Sequence, residues 1–191
     1  MYNFEKAKIW IKSRLSKERY LHSLGAEESA KELAFMFSVE EEKAAFTALI
    51  HDNAKDIPYE DMLKIIETEG LDIEDNIKTN PKIIHAYIGA YLAQKELEIT
   101  DKEILDAIKF HTTGRPDMTL FEKIIYLADK IEANTRNLVF RDSILNILKE
   151  TNNIDKAVLF CIGDTIRSLL DKKFPINFIT IEVWNDFLKK D

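Results

Sequence analysis

Apolar residues recur three and four positions apart along almost the whole chain, while alternating strand patterns are short and few. This periodicity predicts helices near residues 3–15, 17–37, 39–52, 58–68, 81–97, 101–111, 119–133, 141–150, 153–173 and 178–189. Start signals support several of them. Ser38 with Glu41, Thr100 with Glu103 and Thr119 with Glu122 each match the capping box, in which hydroxyl and carboxylate satisfy orphan amides at a helix start. Asn80-Pro81 supplies an N-cap and a first-turn proline, and Pro58 opens a further helix. The acidic, weakly periodic stretch 69–79 reads as a surface loop. With only 5 Gly and 4 Pro among 191 residues, the expectation is an all-α bundle.

Composition narrows this picture. A chain of 191 residues, 46% apolar, suits one domain with a substantial core. Expected is a single domain over 1–191, with its motifs between about 19 and 136 and the helices of 141–189 completing it. No apolar run approaches bilayer length and the N-terminus lacks a signal pattern, so a cytoplasmic protein without a membrane partner is expected. The net charge of −7, without a basic tract, disfavours long nucleic acid but leaves room for a small anionic substrate once metals reverse the local field. The single cysteine, Cys161, lies in an apolar stretch and reads as a small buried hydrophobe.

The candidate chemistry lies in where the four histidines fall. His51-Asp52 ends the apolar run 44–50, so an imidazole and a carboxylate come together where a buried helix surfaces. Asp129 sits inside the apolar segment 124–131, an expensive place for a carboxylate unless it is paired or binds metal. His22 is followed at helical spacing by Gly25, Ala26 and Ser29, small residues that let another helix approach. His85 shares a face with Ile88, Gly89 and Leu92. His111 closes a helix before Thr112-Thr113-Gly114, a loop able to offer donors to a phosphate. Taken singly, each histidine reads as a satisfied structural residue. Together with two aspartates, and no thiolate, they form the nitrogen and oxygen set that suits iron, manganese, zinc or cobalt. Six ligands exceed what one catalytic ion needs, and two ions bridged by a carboxylate fit better.

The order His22, His51-Asp52, Asp129 resembles the HD superfamily of metal-dependent phosphohydrolases. The blocks Arg19-Tyr20-Leu21-His22, His51-Asp52-Asn53-Ala54-Lys55, His85, His111-Thr112-Thr113-Gly114 and Ala128-Asp129-Lys130-Ile131-Glu132 together resemble the YqeK family of symmetrical bis(5'-nucleosyl)-tetraphosphatases. That resemblance implies an HD-domain helical bundle with a di-iron centre that splits diadenosine tetraphosphate into two ADP. It implies that His22, His51, Asp52 and Asp129 hold one metal and that His85 and His111 hold the second, with Asp52 bridging. Asp52 and Lys55 would then be catalytic, and Arg19, Lys55, Thr112, Thr113, Gly114, Arg115 and Arg136 would contact substrate. One departure is visible: where the family continues Ile-Glu-Pro, here Ile131-Glu132 runs on to Ala133-Asn134-Thr135-Arg136.

In the chemistry so implied, two metals activate a water for in-line attack on phosphorus, while Lys55 and Arg115 or Arg136 meet the growing charge. The competing readings are an HD phosphohydrolase acting on a deoxynucleotide or guanosine tetraphosphate, and a nucleotide-binding regulator without turnover. A cyclic dinucleotide phosphodiesterase is disfavoured, because its GYP extension is absent after His111. The helix over 179–188 carries Trp184 and Phe187 on one stripe, which either closes the core or faces a second subunit in a homodimer.

Overall fold

The computed structural model describes residues 2–189, and among them every regular element is helical. In chain order these are α1 (Phe4–Lys12), α2 (Lys17–Met36), α3 (Glu41–Ile50), α4 (Tyr59–Glu69), α5 (Asp75–Lys78), α6 (Pro81–Leu97), α7 (Lys102–Phe110), α8 (Leu120–Ile131), α9 (Leu138–Thr151), α10 (Ile154–Asp171) and α11 (Phe178–Leu188). Among the described residues, no helix is long and apolar enough to cross a membrane.

The bundle is organised around α8. Its Phe121, Ile124, Ile125, Leu127, Ala128 and Ile131 are all buried, so several faces of the helix are covered and no wide polar stripe remains. Ala26, Ala30 and Leu33 of α2 meet it in one core with Ile144 and Leu148 of α9, Ala157, Val158, Cys161 and Ile162 of α10, and Val183 and Phe187 of α11. The α11 stripe therefore helps to close this core: Phe187 is buried and Trp184 half-buried against it. Cys161 is buried there as a small hydrophobe, and burial pushes its thiol up to about 12. A second cluster joins α1, α3, α6 and α7, and a third lies under α4, α5 and α6. The site helices α2, α3, α6, α7 and α8 are thus each anchored by at least one core.

The start signals divide cleanly. Thr119 forms the expected box: its hydroxyl accepts from Glu122 N, and the Glu122 carboxylate accepts from Thr119 N. Asn80 caps α6 ahead of Pro81 as expected. Ser38 does not cap α3, because α2 unwinds through a left-handed residue there (φ 56°) and the chain re-enters helix only after Glu40. Thr100 gives way to its neighbour Asp101, whose carboxylate accepts from Glu103 N at 2.9 Å. Two further differences concern segments. The stretch 69–79 is not wholly loop, since α5 makes one turn that buries Ile77. Helix α9 begins at Leu138, ahead of 141, because Asn137 caps it through Phe140 N.

Thr119→Ala should therefore destabilise the protein by about 1 kcal/mol, whereas Ser38→Ala should stay within about 0.5 kcal/mol of the parent. Urea unfolding of the two variants checks this, and equal losses would contradict the assignment of caps.

Candidate metal centre and its cavity

Five helices bring the six candidate ligands together. His22 comes from the first half of α2, His85 from α6 and Asp129 from α8. His51 and His111 occupy the C-cap positions of α3 and α7. That placement has a local cause: the last turn of a helix leaves carbonyls without amide partners, and a C-cap imidazole can reach back to one. His51 Nδ1 donates to Ala48 O at 2.6 Å and His111 Nδ1 donates to Ile108 O at 2.7 Å. A carbonyl can only accept, so in both rings Nδ1 carries the proton and Nε2 presents a lone pair. His22 is oriented the same way, with Nδ1 donating to the Glu132 carboxylate at 3.1 Å.

These lone pairs converge. His22 Nε2 lies 3.3 Å from His51 Nε2 and 3.0 Å from Asp129 Oδ1, while His51 Nε2 lies 3.6 Å from the same oxygen. The Oδ2 of Asp52 faces this group at 3.8 Å from His22 Nε2 and 3.7 Å from His51 Nε2. The other oxygen, Oδ1, faces His85 Nε2 and His111 Nε2, each at 3.1 Å, and those two nitrogens are 3.3 Å apart. Ligands about 2.1 Å from a metal and 90° to 110° apart are separated by roughly 3.0 to 3.4 Å. The closer pairs, at 3.0 to 3.3 Å, have this spacing, while the pairs His51–Asp129 and Asp52 Oδ2 with His22 and His51 are wider, at 3.6 to 3.8 Å. Buried acceptors at this range repel one another unless a cation sits among them, so the residues fit a metal site by both geometry and donor type. His85 Nδ1, buried without a partner, is the one ligand nitrogen not oriented from behind.

Protonation follows from the surroundings. Burial drives His111 down to about 3 and also lowers His85, which keeps both neutral and available as ligands at pH 7. Burial alone would raise Asp52 and Asp129, but it is outweighed: His51, Lys55 and the bonds from His111 and His85 hold Asp52 well below the usual range, and Lys130 and Arg136 do so for Asp129. His22 is the exception. Burial lowers it, yet its bonds to Asp129 and Glu132 prevail and raise it from 6.5 to about 9. Without metal, then, a proton on His22 Nε2 supplies the positive charge that the acceptors around it require.

A cavity of about 390 Å³ opens over this centre, with His22 and Asp52 on its floor and Arg19, Lys55 and Arg136 on its walls. The Lys55 ammonium donates to His85 Nε2 at 2.8 Å and lies 3.5 Å from Asp52 Oδ1. Arg136 binds the carboxylate of Asp129 and donates from Nε to its carbonyl at 2.7 Å, so the altered run after Glu132 still brings an arginine to the site. Thr112 lies beside the histidines, its hydroxyl 3.1 Å from His111 Nε2, but does not line the cavity. The rest of that loop is engaged elsewhere. Thr113 is buried with its hydroxyl donating to Gly114 O, and Gly114 adopts a left-handed turn against Met118 and Val183. Arg115 is committed to buried Glu122 at 2.7 Å, neutralising the acid that caps α8, and does not reach the cavity.

Glu132 was not singled out beforehand as a functional residue. Its carboxylate orients His22 and also accepts from Asn134 N and Thr135 N, at 2.7 and 3.0 Å from its two oxygens. Gly25 makes room for it, since a Cβ there would lie 2.4 Å from Glu132 Oε2. The signal was present in the sequence: Glu132 follows Asp129 by three residues, at the end of the same apolar run, and it becomes the C-cap of α8.

An all-helical fold that buries histidines and aspartates under an open cavity carrying Arg19, Lys55 and Arg136 suits a metal-dependent helical hydrolase. The HD domain family model matches residues 19–134, and the chain belongs to that family. It is 41% identical over 93% of its length to the symmetrical bis(5'-nucleosyl)-tetraphosphatase of Bacillus subtilis, covering 95% of that protein. It is 37% identical over 97% of its length to the enzyme of the same name from Halalkalibacterium halodurans, covering 97% of it. A crystal structure from Clostridium acetobutylicum, described as a predicted HD superfamily hydrolase involved in NAD metabolism, superposes with a TM-score of 0.92 at 36% identity and full coverage of both chains.

A metal held through His22 would take its lone pair, so loading at pH 7 should release about one proton, and apparent metal affinity should climb with pH until it levels near 9. The metal-free protein behaves oppositely. Its His22 bonds stabilise fully below 6.5, and that contribution is lost as pH rises through about 9. Calorimetric metal titration in two buffers of different ionisation enthalpy counts the protons, and zero release at pH 7 would contradict this assignment.

Proposed function

We propose that this protein hydrolyses diadenosine tetraphosphate symmetrically, giving two ADP, with two metal ions, iron foremost, and manganese, zinc or cobalt as the other candidates. The observation that carries the reading is Asp52: its two oxygens face two separate groups of buried imidazoles, in a chain 41% identical to a symmetrical tetraphosphatase. His22, His51, Asp52 and Asp129 would hold one ion, and His85 and His111 the other, with Asp52 shared. When bound, the ions supply Lewis acidity and draw the nucleophile from water near neutral pH.

The chain's own groups do the rest. Lys55, on the turn that carries Asp52, stands against His85 and Asp52 Oδ1 at the cavity wall, where its ammonium would stabilise charge that grows on the phosphoryl oxygens. Burial lowers its pKa, while Asp52 and Asp129 oppose that change and favour the ammonium. Arg19 and Arg136, on the walls, would bind the flanking phosphates as planar forks. Thr112 adds a hydroxyl beside His111. Thr113, Gly114 and Arg115 would shape this loop from behind and leave contact with substrate to Thr112.

A cavity of about 390 Å³ lies near the lower end of ligand-pocket sizes, about right for one nucleoside diphosphate half, with the other half projecting outward. Attack of water on one central phosphorus, with the oxygen that bridges it to the other central phosphorus as leaving group, breaks the middle anhydride and gives two ADP. The six ligand positions are all filled, which speaks against a regulator that keeps the shape without turnover.

Protein purified without chelator should yield ADP alone from diadenosine tetraphosphate, and Lys55→Ala should lower kcat by about 100-fold while metal content stays. Chromatography of the products decides. ATP with AMP would refute symmetric cleavage, and turnover of a deoxynucleotide, guanosine tetraphosphate or NAD in its place would move the protein to another substrate.

A further inference from the structure

The turn that follows His51-Asp52 ends at Asp56, an acid on the wall of a cavity meant for an anion. A carboxylate there repels phosphate, so its place calls for a compensating role. Its two oxygens are both engaged. Oδ1 accepts from Arg19 Nε at 2.6 Å, and Oδ2 accepts from the backbone amide of Ser16 at 2.7 Å. Ser16 is the N-cap residue of α2, and its own side chain makes no capping bond.

We propose that Asp56 is a positioning residue: it aims the Arg19 guanidinium into the cavity and sets the start of α2 against the turn that carries Asp52 and Lys55. The bond uses Arg19 Nε and leaves the paired terminal nitrogens, with four N–H groups, for a phosphate. Arg19 precedes His22 by three residues on α2, so one carboxylate holds the face of α2 that presents both a phosphate-binding arm and a metal ligand. Asp56 in turn is tied to Asp52 through the bond from Lys55 N to Asp52 O at 2.9 Å. As an isolated surface pair, Arg19 with Asp56 would contribute little; as a brace between two site-bearing segments it preorganises the arm.

This inference rests on the nucleotide-hydrolase reading above, and a binding readout separates the two. Asp56→Asn keeps an oxygen for Ser16 N but loses the charge and the second acceptor, so it releases Arg19 while sparing the start of α2. Measured on metal-loaded protein, D56N should weaken ADP binding by calorimetry and raise KM for diadenosine tetraphosphate, each about tenfold, with kcat changed less than about twofold and Tm near that of the parent. Added to Arg19→Ala, D56N should cause no further loss, because the arm it aims is already gone. Full additivity in that background, or unchanged ADP affinity and KM in D56N alone, overturns the proposal. A parent protein that binds ADP but does not cleave the tetraphosphate overturns the substrate reading and leaves the ADP cycle to judge Asp56. A parent that does not bind ADP overturns the arm itself.

Discussion

Everything in this structure answers to one electrostatic constraint: two carboxylates and four imidazoles are held out of water with their lone pairs facing one another. Uncompensated, each buried carboxylate alone would cost several kcal/mol. Positive charge must come from somewhere. The metal-free protein takes it from Lys130 and Arg136 at Asp129, Lys55 at Asp52, and a proton on His22. A divalent cation can replace the proton because the rings of His22, His51 and His111 are already turned Nε2-inward by acceptors behind them.

The fold reads as the support this constraint requires. Helix α8 carries Asp129 on a segment whose neighbours are packed on several sides, so the carboxylate cannot swing toward solvent without disturbing a core. Helices α3 and α7 stop where their terminal carbonyls can be satisfied by imidazoles, so termination and ligand orientation are one event at His51 and again at His111. Gly25 lets α2 close on Glu132. The C-terminal helices α9 to α11 hold no ligand, yet they cover the outer side of α8 and thereby fix its position.

How far this was legible in the sequence depends on the range of each interaction. Asp129 within an apolar run, His51-Asp52 at the end of another and the Thr119 box are local patterns, and each is where the pattern put it. The six residues that converge were legible as a set because all four histidines and both aspartates fall in apolar or small-residue helical contexts. Ser38 and Thr100 failed as caps because a neighbour, Glu40 or Asp101, occupied the position that the preceding turn made available. Arg115 matched a phosphate-binding loop in sequence, but buried Glu122 seven residues on claims its charge. Glu132 and Asp56 make their contacts, to His22 and to Arg19, with segments far away along the chain, and a sequence shows such pairings only after the fold has made them.

The account turns on Asp52 as a carboxylate shared between two ions. The most direct test is diffraction from metal-loaded crystals at wavelengths on either side of the metal's absorption edge. Two anomalous peaks should appear, one among His22, His51 and Asp129 and one between His85 and His111, with a different oxygen of Asp52 turned to each. A single peak, or peaks that leave Asp52 out, would contradict the shared centre and the mechanism built on it.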